Sequence, residues 1–308
     1  MSLEVDIGAV HLEHPVVNGS GTFDAIAARR AFGEAMWERF PFSAFVSKTI
    51  TVEPRTGNSP PRLTETPAGL INSIGLPNRG LDGFLASDLP QLAGLPVPLV
   101  VSVMATSRDA FARLVSAVGP RPEVDAVELN VSCPNVSSGL VVGERPEETL
   151  ALVEALRPLT DRALIVKLTP NVADPAAVAL AAEAGGADAV SLVNTIRATA
   201  LDPAGKPRVG AGSGGLSGPA IRPIALEQVR RVAEAVSVPV VGMGGIESGA
   251  EALDFLAAGA IAIAVGTANF RDSGAAKRIL GELESALSSA GIGSPAALRS
   301  PIAASTST

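Results

Sequence analysis

The chain has a single thiol, Cys133, and it sits among polar neighbours in Glu128-Leu129-Asn130-Val131-Ser132-Cys133-Pro134-Asn135. A lone cysteine is ordinarily a small buried hydrophobe. Here two amides flank it just past a β-branched run, which favours a working thiol instead. Two lysines occupy comparable places. Lys48 ends a run in Ser47-Lys48-Thr49, and Lys167 lies within Ile165-Val166-Lys167-Leu168. An ammonium in a strand covered on both faces needs an anion or a cavity, because burying it unpaired is costly. Two glycine-rich segments, Val240-Val241-Gly242-Met243-Gly244-Gly245-Ile246 and Val265-Gly266-Thr267, each leave a strand and enter a helix. Backbone N–H groups at such turns, unobstructed by Cβ atoms, can cradle a phosphate; the bland alternative is a tight βα turn. Asn72, in Asn72-Ser73-Ile74-Gly75-Leu76, and the pair Asn194-Thr195 offer neutral donors and acceptors suited to a flat polar ring, although loop asparagines also form turns.

The elements that must hold these residues repeat eight times. Compact, nearly all-apolar runs at Pro15–Gly19, Ala44–Lys48, Pro98–Val103, Ala126–Val131, Leu164–Leu168, Ala189–Asn194, Pro239–Gly242 and Ala260–Gly266 read as parallel strands covered on both faces. Between them fall segments of helical period: Ala25–Arg39, Leu81–Leu92, Arg108–Val118, Pro146–Leu159, Pro175–Ala184, Ile224–Val236, Ala250–Ala258 and Ala275–Ser289. Strict alternation of this kind predicts a closed (β/α)8 TIM barrel or a long open sheet. Chemistry-bearing residues after many different strands favour the barrel, whose active sites lie at the C-terminal face. Two long insertions, Thr49–Gly80 and Thr195–Arg222, follow strand ends on that face. Residues 1–308 therefore read as one domain, with a tail from about residue 291 expected to fray at its end.

Composition narrows the function further. The 308 residues are 47% hydrophobic and 18% charged, enough for a large core and against disorder. A net charge of −7, without a basic run, argues against a nucleic-acid or anionic-membrane surface. One cysteine excludes an intrachain disulfide, a cysteine-based zinc site and an iron–sulfur cluster held by this chain alone. Two histidines, His11 and His14, make a histidine-rich metal site unattractive. No signal peptide or membrane span is legible, so the expected location is cytoplasmic.

Together the stretches Ser47-Lys48-Thr49…Glu53-Pro54-Arg55-Thr56-Gly57-Asn58, Asn72–Leu76, Asn130–Asn135, Gly214-Gly215-Leu216-Ser217-Gly218-Pro219 and Gly242–Ile246 carry a resemblance. From about Val5 to Leu287 the chain resembles class 1 dihydroorotate dehydrogenases, closest to the catalytic FMN subunit of type B. The resemblance implies a β/α barrel that oxidises (S)-dihydroorotate to orotate in pyrimidine biosynthesis. It implies FMN along Ser20, Lys48, Thr49, Ser102, Asn130, Lys167, Val193, Gly218, Gly244, Gly245, Gly266 and Thr267. Substrate would meet Lys48, the loop Asn72, Ser73, Ile74, Gly75 and Leu76, then Asn130, Asn135, Asn194 and Thr195. Cys133 matches the catalytic base. One departure is Ser102, where many relatives have an asparagine against the flavin; a hydroxyl can still hydrogen-bond there.

The segment Val136–Gly143, immediately after the thiol, is suited to a mobile lid that excludes water. The same resemblance implies a homodimer core and a partner subunit with FAD and a [2Fe–2S] cluster passing electrons to NAD in a heterotetramer. A fumarate-using type A homodimer is the main alternative. The membrane-quinone branch fits poorly, since its members carry an N-terminal amphipathic extension and a serine base. A tRNA-dihydrouridine synthase-like flavin barrel would need a basic RNA-binding surface that the charge does not supply. A non-redox phosphate-binding barrel would use Lys167 for Schiff-base or proton-transfer chemistry, and would be colourless.

Overall fold

A computed structural model of the chain describes residues 2–132 and 142–299. It opens with a hairpin of β1 (Val5–Ile7) and β2 (Val10–Leu12). Eight parallel strands follow: β3 (Val16–Asn18), β4 (Phe45–Val46), β7 (Leu99–Val103), β8 (Ala126–Asn130), β9 (Ala163–Lys167), β10 (Ala189–Leu192), β13 (Val240–Met243) and β14 (Ala262–Val265). They pair in the order β4-β7-β8-β9-β10-β13-β14-β3, with helices between them, as a TIM barrel does. At the seam, Ser43 N–H donates to Val16 O at 3.0 Å. Beside it the buried Asn18 side chain donates to Val46 O and accepts from Val46 N–H, each at 2.8 Å. One carboxamide thus replaces a stretch of backbone ladder between β3 and β4.

The strand sequences are mostly apolar because most of their side chains meet one of two cores. Outward residues such as Leu99, Val101 and Val103 pack under the helices, while Val17, Val46, Val100, Ala126, Ala163, Ile165, Val241 and Ala264 fill the barrel. Val5, Ile7, Val10 and Leu12 from the hairpin join that inner cluster, so β1 and β2 plug the barrel's N-terminal end. Helix starts follow ordinary capping: Asp24, Ser107, Asp174 and Ser248 each accept a backbone N–H from the first turn.

Two predicted elements need correction. The helix expected at Ala25–Arg39 ends at Phe32, because Gly33 adopts φ +68°, and resumes only as Ala35–Glu38. The strand expected at Ala44–Lys48 ladders only over Phe45–Val46, where its other neighbour is the Asn18 side chain rather than a full strand edge.

The two insertions meet each other. β5 (Leu63–Thr66) and β6 (Gly69–Asn72) come from the first, β11 (Ile196–Ala198) and β12 (Gly214–Ser217) from the second. They form one antiparallel sheet, β11-β12-β6-β5, with Gly215 opposite Asn72 and Ser217 opposite Leu70. The approach is close enough that a Cβ on Gly214 would overlap the Asn72 carbonyl. This sheet borders the cavity at the barrel mouth.

Candidate active site

A cavity of about 620 Å³ opens at the C-terminal ends of the strands. That volume suits a cofactor-sized ligand. The last residues of β8 and β9 bring Asn130 and Lys167 into it as register partners, both buried. Lys167 Nζ lies 4.0 Å from Glu128 Oε1, an ion pair inside the barrel. Glu128 also accepts from Ser102 Oγ at 2.9 Å and from Ser191 Oγ at 3.2 Å. A buried carboxylate with three such partners meets the requirement that interior charge be paired and hydrogen-bonded.

Lys48 follows β4 and also lines the cavity. Burial pushes its pKa down; Asp24 opposes that shift and Arg62 reinforces it. Thr49 Oγ1 stands 2.9 Å from Ser102 Oγ and 3.1 Å from Ser20 Oγ, and Ser20 donates to Ser47 O at 2.8 Å. Across the cavity Asn194 Nδ2 donates to Ser132 Oγ at 2.9 Å and to Asn130 Oδ1 at 3.3 Å. The roof contributes Asn72, which donates to Gly215 O at 3.2 Å, with Ile74 and Leu76 beside it.

Gly218, Gly244 and Gly245 have φ of +86°, +135° and +74°, conformations that L side chains rarely adopt. They line the cavity together with Gly266 and Thr267, beyond β13 and β14. Among the described residues, the N–H groups of Gly245 and Thr267 have no backbone acceptor. Such a nest of free donors suits an anion.

The sequence matches the family model described as Dihydroorotate dehydrogenase over residues 2–287. The chain belongs to the dihydroorotate dehydrogenase family. It is 44% identical to a protein of Desulforudis audaxviator over 94% of this chain and 93% of that one. It is 42% identical to a protein of Trichlorobacter lovleyi, over 94% and 95%, and to one of Geobacter sulfurreducens, over 94% of each. All three are named dihydroorotate dehydrogenase B (NAD(+)), catalytic subunit.

Within this family member the cavity gathers most of the residues singled out in the sequence. Ser20, Lys48, Thr49, Asn130 and Lys167 line its floor and walls, Val193, Asn194 and Thr195 one side, and Asn72, Ile74 and Leu76 the roof. Ser73 and Gly75 stand behind the wall, where Ser73 Oγ accepts from Asn58 Nδ2 at 3.0 Å. Ser102, expected against the flavin, does not reach the cavity: it is fully buried, with its hydroxyl engaged by Glu128 and Thr49. Cys133, Asn135 and residues 136–141 of the expected lid lie outside the described residues.

Two further residues matter at the site. Glu128 opens the segment that leads to the cysteine, and a carboxylate in a doubly covered strand is itself a signal. Asn171 lines the cavity; its Nδ2 donates to Thr195 O at 3.2 Å and its Oδ1 accepts from Arg197 N–H at 2.9 Å, tying down the loop after β10. Among the described residues no helix is long and apolar enough to cross a membrane, and no cluster of His, Cys, Asp and Glu could hold a metal.

Proposed function

We propose that this chain is the FMN-binding catalytic subunit of a type B dihydroorotate dehydrogenase, oxidising (S)-dihydroorotate to orotate. The observation that carries the reading is the cavity itself. It joins the glycine cradle after β13 and β14 to two lysines and four asparagines. The free N–H groups and positive-φ glycines suit the phosphate of FMN, and the buried ammonium of Lys167 suits the ring that takes up negative charge.

When bound, FMN supplies the acceptor for the hydride that leaves C6 of the substrate. The residues of the chain do the rest. Lys48 pairs with the substrate carboxylate, and Asn72, Asn130 and Asn194 fix its ring amides flat in the cavity. Cys133 is the base that removes the proton from C5. A thiol with a pKa of about 8.5 is mostly protonated at neutral pH, so turnover should rise with alkalinity. The roof sheet excludes water from the face opposite the strands.

The relatives named as NAD(+) catalytic subunits favour type B over the fumarate-using alternative. A partner with FAD and a [2Fe–2S] cluster would accept the electrons, since this chain has one cysteine. Anaerobic addition of dihydroorotate to the purified yellow protein should bleach the flavin in a single turnover, yielding one orotate per flavin. A colourless protein, or a flavin that stays oxidised, would overturn the assignment. NAD reduction should require co-expression of the partner subunit; reduction of fumarate by the isolated chain would point to type A instead.

A further inference from the structure

Resting on the reading above, we propose that Asn78 is a positioning residue that holds Leu76 in a left-handed backbone conformation and so presets the loop that meets the substrate. Leu76 lines the cavity and has φ +52°, the only positive φ of a non-glycine among the described residues. Two features of the sequence oppose that conformation. A residue with a Cβ crowds its carbonyl oxygen there, and Pro77 follows, which biases the residue before it towards extended backbone. A conformation so disfavoured persists only where its surroundings impose it, and such places cluster at ligand sites.

Asn78 imposes it. Its Nδ2 donates to Leu76 O at 2.8 Å and to Thr51 Oγ1 at 3.0 Å. Its Oδ1 accepts from Gly80 N–H at 2.8 Å and from Thr51 N–H at 3.3 Å. Two backbone donors on one side and a backbone carbonyl on the other fix which way round this amide sits. Its own backbone is pinned too, exchanging bonds with Arg55 at 3.0 and 2.9 Å. Thr51 follows Ile50, which bridges Val103 of β7. One side chain therefore ties Leu76 to the frame of the barrel.

Among the described residues, Asn78 is the one hydrogen-bond donor to the Leu76 carbonyl. It does not line the cavity, so it reaches a ligand only through what it holds. The N–H groups of Gly75 and Leu76 have no backbone acceptor among the described residues. With Leu76 fixed, the turn that carries these donors is set before a substrate arrives, and binding does not have to order it.

Glycine takes positive φ at little cost, so Leu76→Gly removes the strain that Asn78 works against. Orotate affinity, read from the perturbation of the flavin spectrum, FMN affinity and melting temperature are measured for wild type, Asn78→Ala, Leu76→Gly and the double variant. Asn78→Ala should weaken orotate binding about tenfold, with FMN affinity within about twofold of wild type. In the Leu76→Gly background, whatever affinity that change itself costs, adding Asn78→Ala should cost about twofold or less. A merely structural role for Asn78 would cost the same factor in both backgrounds, and that result overturns the proposal. Orotate binding by Asn78→Ala within about twofold of wild type overturns it as well. If Asn78→Ala does not fold, Asn78→Ser, whose hydroxyl can still accept from Gly80 N–H, takes its place in the same comparison. A wild-type protein that binds neither FMN nor orotate overturns the functional reading and this proposal with it; wild-type binding of both, with silent or uncoupled variants, overturns this proposal only.

Discussion

The two ends of the barrel are built from the same strands and do opposite work. Along the inward face of β8 the residues are Ala126, Glu128 and Asn130; along β9 they are Ala163, Ile165 and Lys167. β4 runs from Ala44 and Val46 to Lys48 just beyond it, and β14 from Ala262 and Ala264 to Gly266. Four residues of strand, about 13 Å, separate an apolar floor sealed by the β1–β2 hairpin from a mouth of lysines, amides and glycines. The lower residues are chosen for volume, the upper ones for charge and hydrogen bonding. The lesson is that position along a strand decides what a substitution costs: stability near the hairpin, binding and rate near the mouth.

Four substitutions or conditions test this division. The largest effect belongs to Cys133→Ala, which should keep its flavin and its melting temperature. Stopped-flow reduction by dihydroorotate should slow by about 10²–10⁴-fold, the range for losing a general base; bleaching at the wild-type rate would remove Cys133 from the chemistry. At the opposite end, Leu12 is fully buried in the inner core. Leu12→Ala should cost about 2–5 kcal/mol in denaturant unfolding while kcat per folded molecule holds. A stable Leu12→Ala with impaired kcat would mean that the two ends are coupled.

Gly245→Ala places a Cβ at φ +74°, 2.7 Å from the Gly218 carbonyl oxygen. FMN binding measured by equilibrium dialysis should weaken about tenfold or more, with little change in the affinity for orotate once flavin is saturating. The smallest effect concerns pH. Lys48 is cationic below its pKa, and burial has brought that pKa below 10.5. The KM for dihydroorotate should therefore begin to rise at a lower pH than an ordinary lysine would dictate. Lys48→Arg, whose charge persists, should flatten that rise. A wild-type KM that stays flat up to pH 10.5 would sever Lys48 from the substrate carboxylate.

The barrel was legible because its strands are covered on both faces. Runs such as Leu99–Val103 and Ala163–Lys167 leave nothing for solvent, and helices of clear period separate them. The roof was not legible. Leu63–Thr66 and Gly214–Ser217 are short, half-exposed and without a decisive pattern, and what pairs them is the barrel mouth holding the two insertions together. The interruption at Gly33 was hidden for a related reason, since helical period continues on both sides of it.

In the site, residue type and place alone singled out Lys48, Lys167 and the glycines after β13 and β14, which line the cavity; Asn130 and Gly218 came from the resemblance. Ser102 came from the resemblance alone, and in the structure its hydroxyl lies between Glu128 and Thr49 without lining the cavity. One layer lower in the barrel an inward side chain meets Glu128 instead, and a serine is too short to reach past Thr49. Glu128 itself carried a signal, a carboxylate on the same face as Asn130 and two residues before it.

The most direct test is a crystal structure of the yellow holoprotein soaked with orotate. The account requires the FMN phosphate on the N–H groups of Gly245 and Thr267, the flavin ring beside Lys167, and orotate between that ring and Cys133, held by Lys48 and Asn130. Flavin bound elsewhere, or orotate outside this cavity with Cys133 turned away, would contradict it.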